Sequence, residues 1–258
     1  FYRGDAKFIT PSLEGFTCKD SLEFFSGISL EERDNGKLFG TKSAQLFVDR
    51  LIHGAKNAKI NLNTPINTLT CKDEEFLLMG EKNTFTCKKL VVACGSPAWP
   101  QVGARDSGYQ IAKTFGHTII TPSPALVPLT LQPEQFWMKS LSGVAFEVGA
   151  QVAKFDFKDA LLFSHRGLSG PLMMDVSLFW DKGPISLDFY PQGRVEKLFK
   201  SGSKKLISSA LPLPKRFVKA FLNAMNLTDK PLNSLTCKEK EALQSLHDYS
   251  FAPAGTLG

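Results

Sequence analysis

The 258 residues contain no G-x-G-x-x-G, no C-x-x-C and no apolar run approaching the length of a membrane span. The first absence means that the phosphate-cradling turn which opens a dinucleotide-binding βαβ unit is not among them. The second, with an odd number of scattered cysteines (Cys18, Cys71, Cys87, Cys94 and Cys237), argues against a zinc site and against a disulfide framework. Free thiols suit a reducing cytoplasm, the expected location. The third absence argues against a spanning helix, and no hydrophobic leader stands at the start, so no membrane partner is expected. Only four histidines occur (His53, His117, His165, His247), none at metal-ligand spacing, and no metal is expected. No carboxylate pair has the spacing for acid–base work. Ser169 lies near His165 but outside any G-x-S-x-G elbow, so a serine hydrolase is not expected. There is no internal repeat and no low-complexity tract. With 43% apolar and 22% charged residues the chain suits one large or two small globular domains.

What is present centres on Leu90 to His117, LVVACGSPAWPQVGARDSGYQIAKTFGH. Leu90 to Ala93 reads as a short strand buried on both faces, as in a parallel sheet. Cys94, Gly95 and Ser96 end it with small side chains, where a ligand could approach bare main chain. Pro97 and Pro100 stiffen the loop that follows. Ser107 with Gln110 has capping-box spacing, and Gly116 sits where a helix-terminating glycine belongs. Helix-start N–H groups beside a strand end favour an anion. A turn shaped only for packing has the same residues.

The run from Ala93 to Leu131 resembles the signature of the YhiN/BaiN-like flavoproteins, bacterial NAD(P)/FAD-dependent oxidoreductases of the aminoacetone-oxidase type. In that family it reads approximately A-T-G-G-x-S-Y-P-x-T-G-S-x-G-D-G-Y-x-x-A-x-x-x-G-H-x-I, then P-A-L-V-P-L. Ala93, Gly95, Pro100, Gly103, Gly108, Tyr109, Ala112, Gly116, His117 and Pro124 to Leu129 keep the pattern. Cys94, Ser96, Trp99, Asp106 and Ser107 depart from it. A second block, FSHRGLSGP from Phe163 to Pro171, resembles the family's F-T-H-x-G-x-S-G-P.

The resemblance implies a fold class of α/β plus α+β: a partial doubly wound FAD/NAD(P)-binding domain with an inserted β-barrel and a small helical subdomain. On that reading 1–121 belong to the FAD domain, 122–192 to the barrel, 193–250 to the helical part of the insert, and 251–258 begin the return. The missing glycine motif and the Phe1 start read as an internal fragment of a longer flavoprotein, itself able to lack FAD. The resemblance implies FAD as cofactor, NAD(P)H as an optional one, and a small-molecule substrate. Its cofactor contacts would be Ile66, Ala93, Cys94, Gly95, Ser96, Trp99, Pro100 and Gly103. His165, Arg166, Gly167 and Ser169 would line the substrate cleft. The family's G-R-x-F-P stretch near the flavin corresponds to Gly36, Lys37, Leu38, Phe39 and Gly40, with Arg and Pro replaced.

Before that centre, Phe1 to Phe39 reads as irregular apart from a short helix near Ser21 to Phe25 and a hairpin about Asn35-Gly36. A helix from Thr41 or Ser43 to His53 and a strand at Ile60 to Asn63 would form half of a βαβ unit. A hairpin follows about Gly80 to Asn83, with Cys71 and Cys87 able to face each other across it. Thr121 to Pro124 marks a boundary. Val127 to Leu131, Phe146 to Phe155, Leu161 to His165 and Ile185 to Tyr190 read as strands, with a short helix at Ser169 to Ser177. Gly167, Gly170 and Pro171 read as turn-makers, and Ser169 as a helix N-cap. Pro214 suits a helix start, and Thr236 with Glu239 a capping box.

Charge is uneven. Between Arg194 and Lys219 eight Lys/Arg face one acid, Glu196, in a chain of net charge +6. A solvated helical face accounts for this; so does a surface for tRNA or another partner, with any redox chemistry secondary. Oligomeric state and catalytic residues are not legible.

Overall fold

The computed structural model describes residues 3–33, 36–98, 100, 103, 105–200 and 202–257. They divide into two compact units: Tyr2–Gly95 with Asp106–His117, and Ser96–Arg105 with Thr118–Gly258.

The first unit is a mixture of short helices and small antiparallel sheets. α1 (Ala6–Gly15) starts at Asp5, whose carboxylate accepts the Lys7 N–H, and contains Pro11. α2 (Cys18–Phe24) has a full capping box between Thr17 and Asp20, and that bonding holds the Asp20 carboxyl below its ordinary range. β1 (Leu30–Arg33) and β2 (Lys37–Gly40) form the expected hairpin; the Asp34–Asn35 part of its turn lies outside the described residues. α3 (Gln45–Gly54) begins where the Ser43 hydroxyl accepts the Gln45 N–H. Phe47 on α3 packs against the bare backbone of Gly40 and against Phe25. β3 (Thr68–Lys72), β4 (Glu75–Met79) and β5 (Thr84–Cys87) make a three-stranded meander. α4 (Ser107–Thr114) ends in a Schellman arrangement: Gly116, at φ 83°, donates to the Lys113 carbonyl, and His117 donates to that of Ala112.

Four local expectations are corrected here. Phe1 to Phe39 is not irregular, since α1 occupies much of it. Neither Leu90–Ala93 nor Ile60–Asn63 is a strand; Val91 is 86% exposed and Leu62 79%. An apolar run becomes a parallel strand only when neighbours pair with its edges and helices cover its faces. Among the described residues no strand pairs with either run. Finally, Cys71 and Cys87 do not face each other. Both stand opposite Phe76, with β4 between them. That is two strand spacings, roughly 9.5 Å, beyond disulfide reach.

The second unit holds every buried apolar side chain among the described residues, from Leu129 to Phe251. Its sheet runs β11–β10–β7–β8–β9–β6, with β6 (Leu129–Thr130), β7 (Ala145–Val152), β8 (Phe155–Phe163), β9 (Gly167–Ser169), β10 (Ile185–Asp188) and β11 (Tyr249–Phe251). The long β7–β8 hairpin alternates inward and outward residues, as a half-buried antiparallel pair should. The sheet is curled. β11 occupies one edge, yet three residues later Ala254 and Gly255 are hydrogen-bonded to Thr130 on the other edge. The segment read as the start of a return is thus bonded into this sheet.

α5 (Gly170–Phe179) packs on β7 and β8. α6 (Val195–Phe199), α7 (Ile207–Ala210), α8 (Lys215–Ala224) and α9 (Cys237–Gln244) follow. α8 buries Phe217, Val218, Phe221 and Leu222, one face at helical spacing. Phe217 meets Phe146, Phe163, Phe189 and Trp137, an aromatic centre between sheet and helix. Trp137 donates its indole N–H to the Tyr249 hydroxyl at 3.2 Å, and burial pushes the Tyr249 phenol above its ordinary value.

Thr236 and Glu239 form the expected capping box on α9, and Lys230 pairs with Glu239 at 2.8 Å. The Lys230 ammonium, then the Thr236 N–H and hydroxyl, bring the Glu239 carboxyl down to about 2 from 4.5. A depressed carboxylate contributes stability above its ordinary value and loses it as pH falls. Glu239→Gln is therefore expected to remove part of the fall in melting temperature between pH 4.5 and about 2. Identical acid limbs for the two proteins would contradict this.

Candidate functional site

The glycine turn follows the exposed residues 91–93. Gly95 has φ 75°, a conformation open to glycine and strained for other residues. On α4, a Cβ added to Gly108 would stand 3.7 Å from Val92 Cγ1, 3.8 Å from Cys94 Cβ and 3.9 Å from the Gly95 carbonyl oxygen. The start of α4 thus backs onto the turn, with the Val92 and Cys94 side chains against Gly108. Asp106 occupies the N-cap position of α4, but its carboxylate caps no backbone N–H; it accepts the Gln110 side-chain amide at 3.1 Å instead. Helix-start N–H groups without such a cap favour an anionic or carbonyl oxygen.

Val92, Cys94 and Gly95 thus come together with Gly108, a contact that spacing alone did not reveal; Ala93 is exposed and is not among the atoms nearest Gly108. The Cys94 thiol is exposed. Ile66 is 40% exposed, beside Pro65, whose carbonyl oxygen lies where a Cβ on Gly80 would fall. In the other unit the Ser96 hydroxyl accepts the Ala98 N–H at 3.4 Å, and the Pro100 carbonyl accepts the Gly103 N–H at 3.0 Å. Gly103 has φ 83°. Trp99 lies outside the described residues.

The FSHRGLSGP block makes the turn between β8 and β9. The Ser164 hydroxyl sits inside it, accepting from Gly167 N–H at 3.1 Å and from Arg166 N–H at 3.3 Å and donating to the Gly167 carbonyl at 2.9 Å. This fixes His165 and Arg166 at the tip, both exposed. Gly167 is buried instead, because the Leu129 carbonyl occupies the place of its missing side chain. Gly170, at φ 86°, abuts the Ala160 carbonyl. Ser169 stands at the N-cap of α5, as expected, but makes no side-chain cap bond. The block is first of all a backbone device that displays an imidazole and a guanidinium.

His247 has its two ring nitrogens occupied. Nε2 accepts the Val195 N–H at 3.1 Å, and Nδ1 lies 2.9 Å from Asp188. It holds the start of α6 rather than a substrate. Among the described residues no His/Cys/Asp/Glu group could hold a metal, and no helix is long and apolar enough to cross a membrane.

The sequence matches the family described as HI0933-like protein Rossmann domain over residues 1–254, and the chain belongs to that family. The family is FAD-binding and oxidoreductase-like, as the resemblance to the YhiN/BaiN flavoproteins implied. The chain is 30% identical over 268 residues to the ribosomal RNA dihydrouridine synthase of Haemophilus influenzae, covering 97% of this chain and 67% of that one. With the ribosomal RNA dihydrouridine synthase of Escherichia coli the figures are 32% over 266 residues, 97% and 66%. A 3-dehydro-bile acid delta(4,6)-reductase of Clostridium scindens is 25% identical over 216 residues, 78% of this chain and 53% of that protein. The chain spans about two thirds of the length of the first two relatives.

Proposed function

We propose that the protein is a flavin-dependent reductase that saturates a carbon–carbon double bond conjugated to a carbonyl, and that its substrate is uridine in ribosomal RNA. The observation that carries this reading is alignment of 97% of the chain, at 30% and 32% identity, with two dihydrouridine synthases. The bile-acid relative supports the reaction class. Its named reduction and the formation of dihydrouridine both add two hydrogens to an unsaturated ring. In uracil a hydride equivalent goes to C6 and a proton to C5, while the C4 carbonyl carries the transient negative charge.

The residues present fit part of an FAD site. Gly95, at φ 75°, stands beside an uncapped helix start, which suits an electron-rich ring edge or a phosphate. Ala93, Cys94 and Gly95 would hold the group there, with Ile66 as a further contact. When bound, FAD supplies the hydride, and NAD(P)H is the proposed source of its electrons.

His165 and Arg166 are our candidates for contact with uracil. The fixed turn holds an imidazole able to give a proton to C5 and a guanidinium able to pair with the C4 oxygen. His165→Gln is expected to lower kcat about 100-fold with flavin content unchanged. An unaltered kcat would remove His165 from the reaction. The reading as a whole is tested by the visible spectrum of the purified full-length protein. Flavin bands, with FAD released on denaturation, support it; a colourless protein that fails to take up added FAD contradicts it.

A further inference from the structure

Eight of the chain's cations and one acid lie between Arg194 and Lys219, so that stretch carries +7 while the rest of the chain sums to −1. From Lys197 to Thr228 there is no acidic residue at all. The whole positive excess of the protein is thus concentrated in one part of the second unit.

The structure separates cations with an internal task from those without one. Arg194 pairs with Asp188, Arg216 donates to the carbonyls of Ser140 and Ser142, Lys230 pairs with Glu239, and Lys240 lies over the Phe199 ring. Lys197, Lys200, Lys204, Lys205, Lys215 and Lys219 are all exposed, and among the described residues none of their ammonium groups has an acidic or aromatic partner.

These six are carried on ordered backbone. The loop with Lys204 and Lys205 is laced to 230–233: Ile207 donates to the Lys230 carbonyl, Leu232 to that of Lys205, and Asn233 to that of Ser203. The loop leads directly into α7, which packs on α8. Lys215 and Lys219 stand four residues apart on α8, away from its buried Phe217 and Phe221. A membrane surface would be met by cations flanked by apolar side chains free to insert. Here the apolar face of α8 is spent in the core, and Leu206, 42% exposed beside Lys205, is a lone apolar side chain rather than an insertable face.

We propose that these six lysines form a docking surface for the phosphate backbone of RNA. The inference rests on the reading that the substrate is RNA, and it assigns the grip on the strand to the helical part of the second unit. Lysines contact phosphates without reading bases, so the surface supplies affinity and orientation, and selection of the uridine falls to other groups.

The test is equilibrium binding of a fluorescently labelled RNA stem-loop with uridines in its loop to the full-length protein, over a range of salt concentrations. Compared are the wild type, the triple variant Lys200→Glu/Lys204→Glu/Lys205→Glu, the double variant Lys215→Glu/Lys219→Glu, and a control, Lys72→Glu/Lys88→Glu, in the first unit. We expect the triple variant to bind at least tenfold more weakly at low salt and to flatten the log–log salt slope by about 2 to 3. The double variant should flatten it by about 1 to 2, and the control should match the wild type. Flavin content and melting temperature should be equal in all four proteins. If the wild type binds the RNA and the patch variants bind it equally well, the docking surface is overturned while the RNA reading stands. If the wild type binds no RNA, both fall. If the variants lose binding only to vesicles of anionic lipid, the surface belongs to a membrane and the proposal is wrong.

Discussion

Gly167→Ala is expected to detach β6 from the curled sheet and to destabilise the second unit by about 3 kcal/mol or more. The added Cβ would lie 2.0 Å from the Leu129 carbonyl oxygen and 2.9 Å from its carbon. Both are backbone atoms, so no rotamer change relieves the clash. Leu129 pairs with Leu168 across the same ladder and is itself completely buried. The strand must therefore move away, which uncovers Leu129 and breaks the bonds between Thr130 and Ala254–Gly255 that bring the two sheet edges together. Gly15→Ala is the matched control. Nothing lies within 4 Å of its added Cβ, and in the last turn of α1 it should be neutral or slightly stabilising. Thermal or denaturant unfolding of both variants checks the difference. Equal stabilities would mean that β6 and β9 are not so closely apposed.

Gly95→Val is expected to weaken flavin retention by about 100-fold, or roughly 2.7 kcal/mol. Two effects add. A β-branched residue is a steric outlier at φ 75°, so the turn must re-form. Its methyl groups would also add bulk where the proposed cofactor would meet the turn. Gly95→Ala separates the two, since it carries most of the backbone strain but little of the bulk. Ordered losses, valine greater than alanine, with unchanged circular dichroism, are the expected pattern. Equal retention by all three proteins would take the turn out of the cofactor site. Absorbance at the flavin band after gel filtration is the readout.

Locally coded features were legible in the sequence. Thr236 with Glu239, Gly116 at the end of α4, the hairpin between Leu30 and Gly40 and the amphipathic α8 follow from caps, turns and spacing within a few residues. What failed depended on distant partners. Leu90–Ala93 has the composition of a buried strand, but composition cannot supply neighbouring strands, and the run stays unpaired, with Val91 86% exposed. α1 was hidden by Pro11, which reads as a helix breaker although Asp5 caps the helix start. β11 was missed because a three-residue strand owes its existence to Ile185–Leu187 across the ladder, not to its own pattern.

The candidate site divides the same way. The glycine turn and the HRGLSGP block stand out as motifs. Their physical content does not: the approach of Gly108 to Cys94, and the burial of Gly167 under Leu129, appear only once the chain is folded. The charge concentration was plain in the sequence. Which of its lysines are free, and which cations have internal work, was not.

We propose above all that this protein adds two hydrogens to uridine in ribosomal RNA with a bound flavin. The most direct measurement is mass spectrometry of nucleosides from ribosomal RNA incubated with the full-length, FAD-loaded protein and NAD(P)H. Dihydrouridine that depends on both protein and reductant, and is lost with Gly95→Val, is the expected result. Flavin-loaded protein that oxidises NAD(P)H, yet leaves every uridine unreduced in RNA that was never modified, would contradict it.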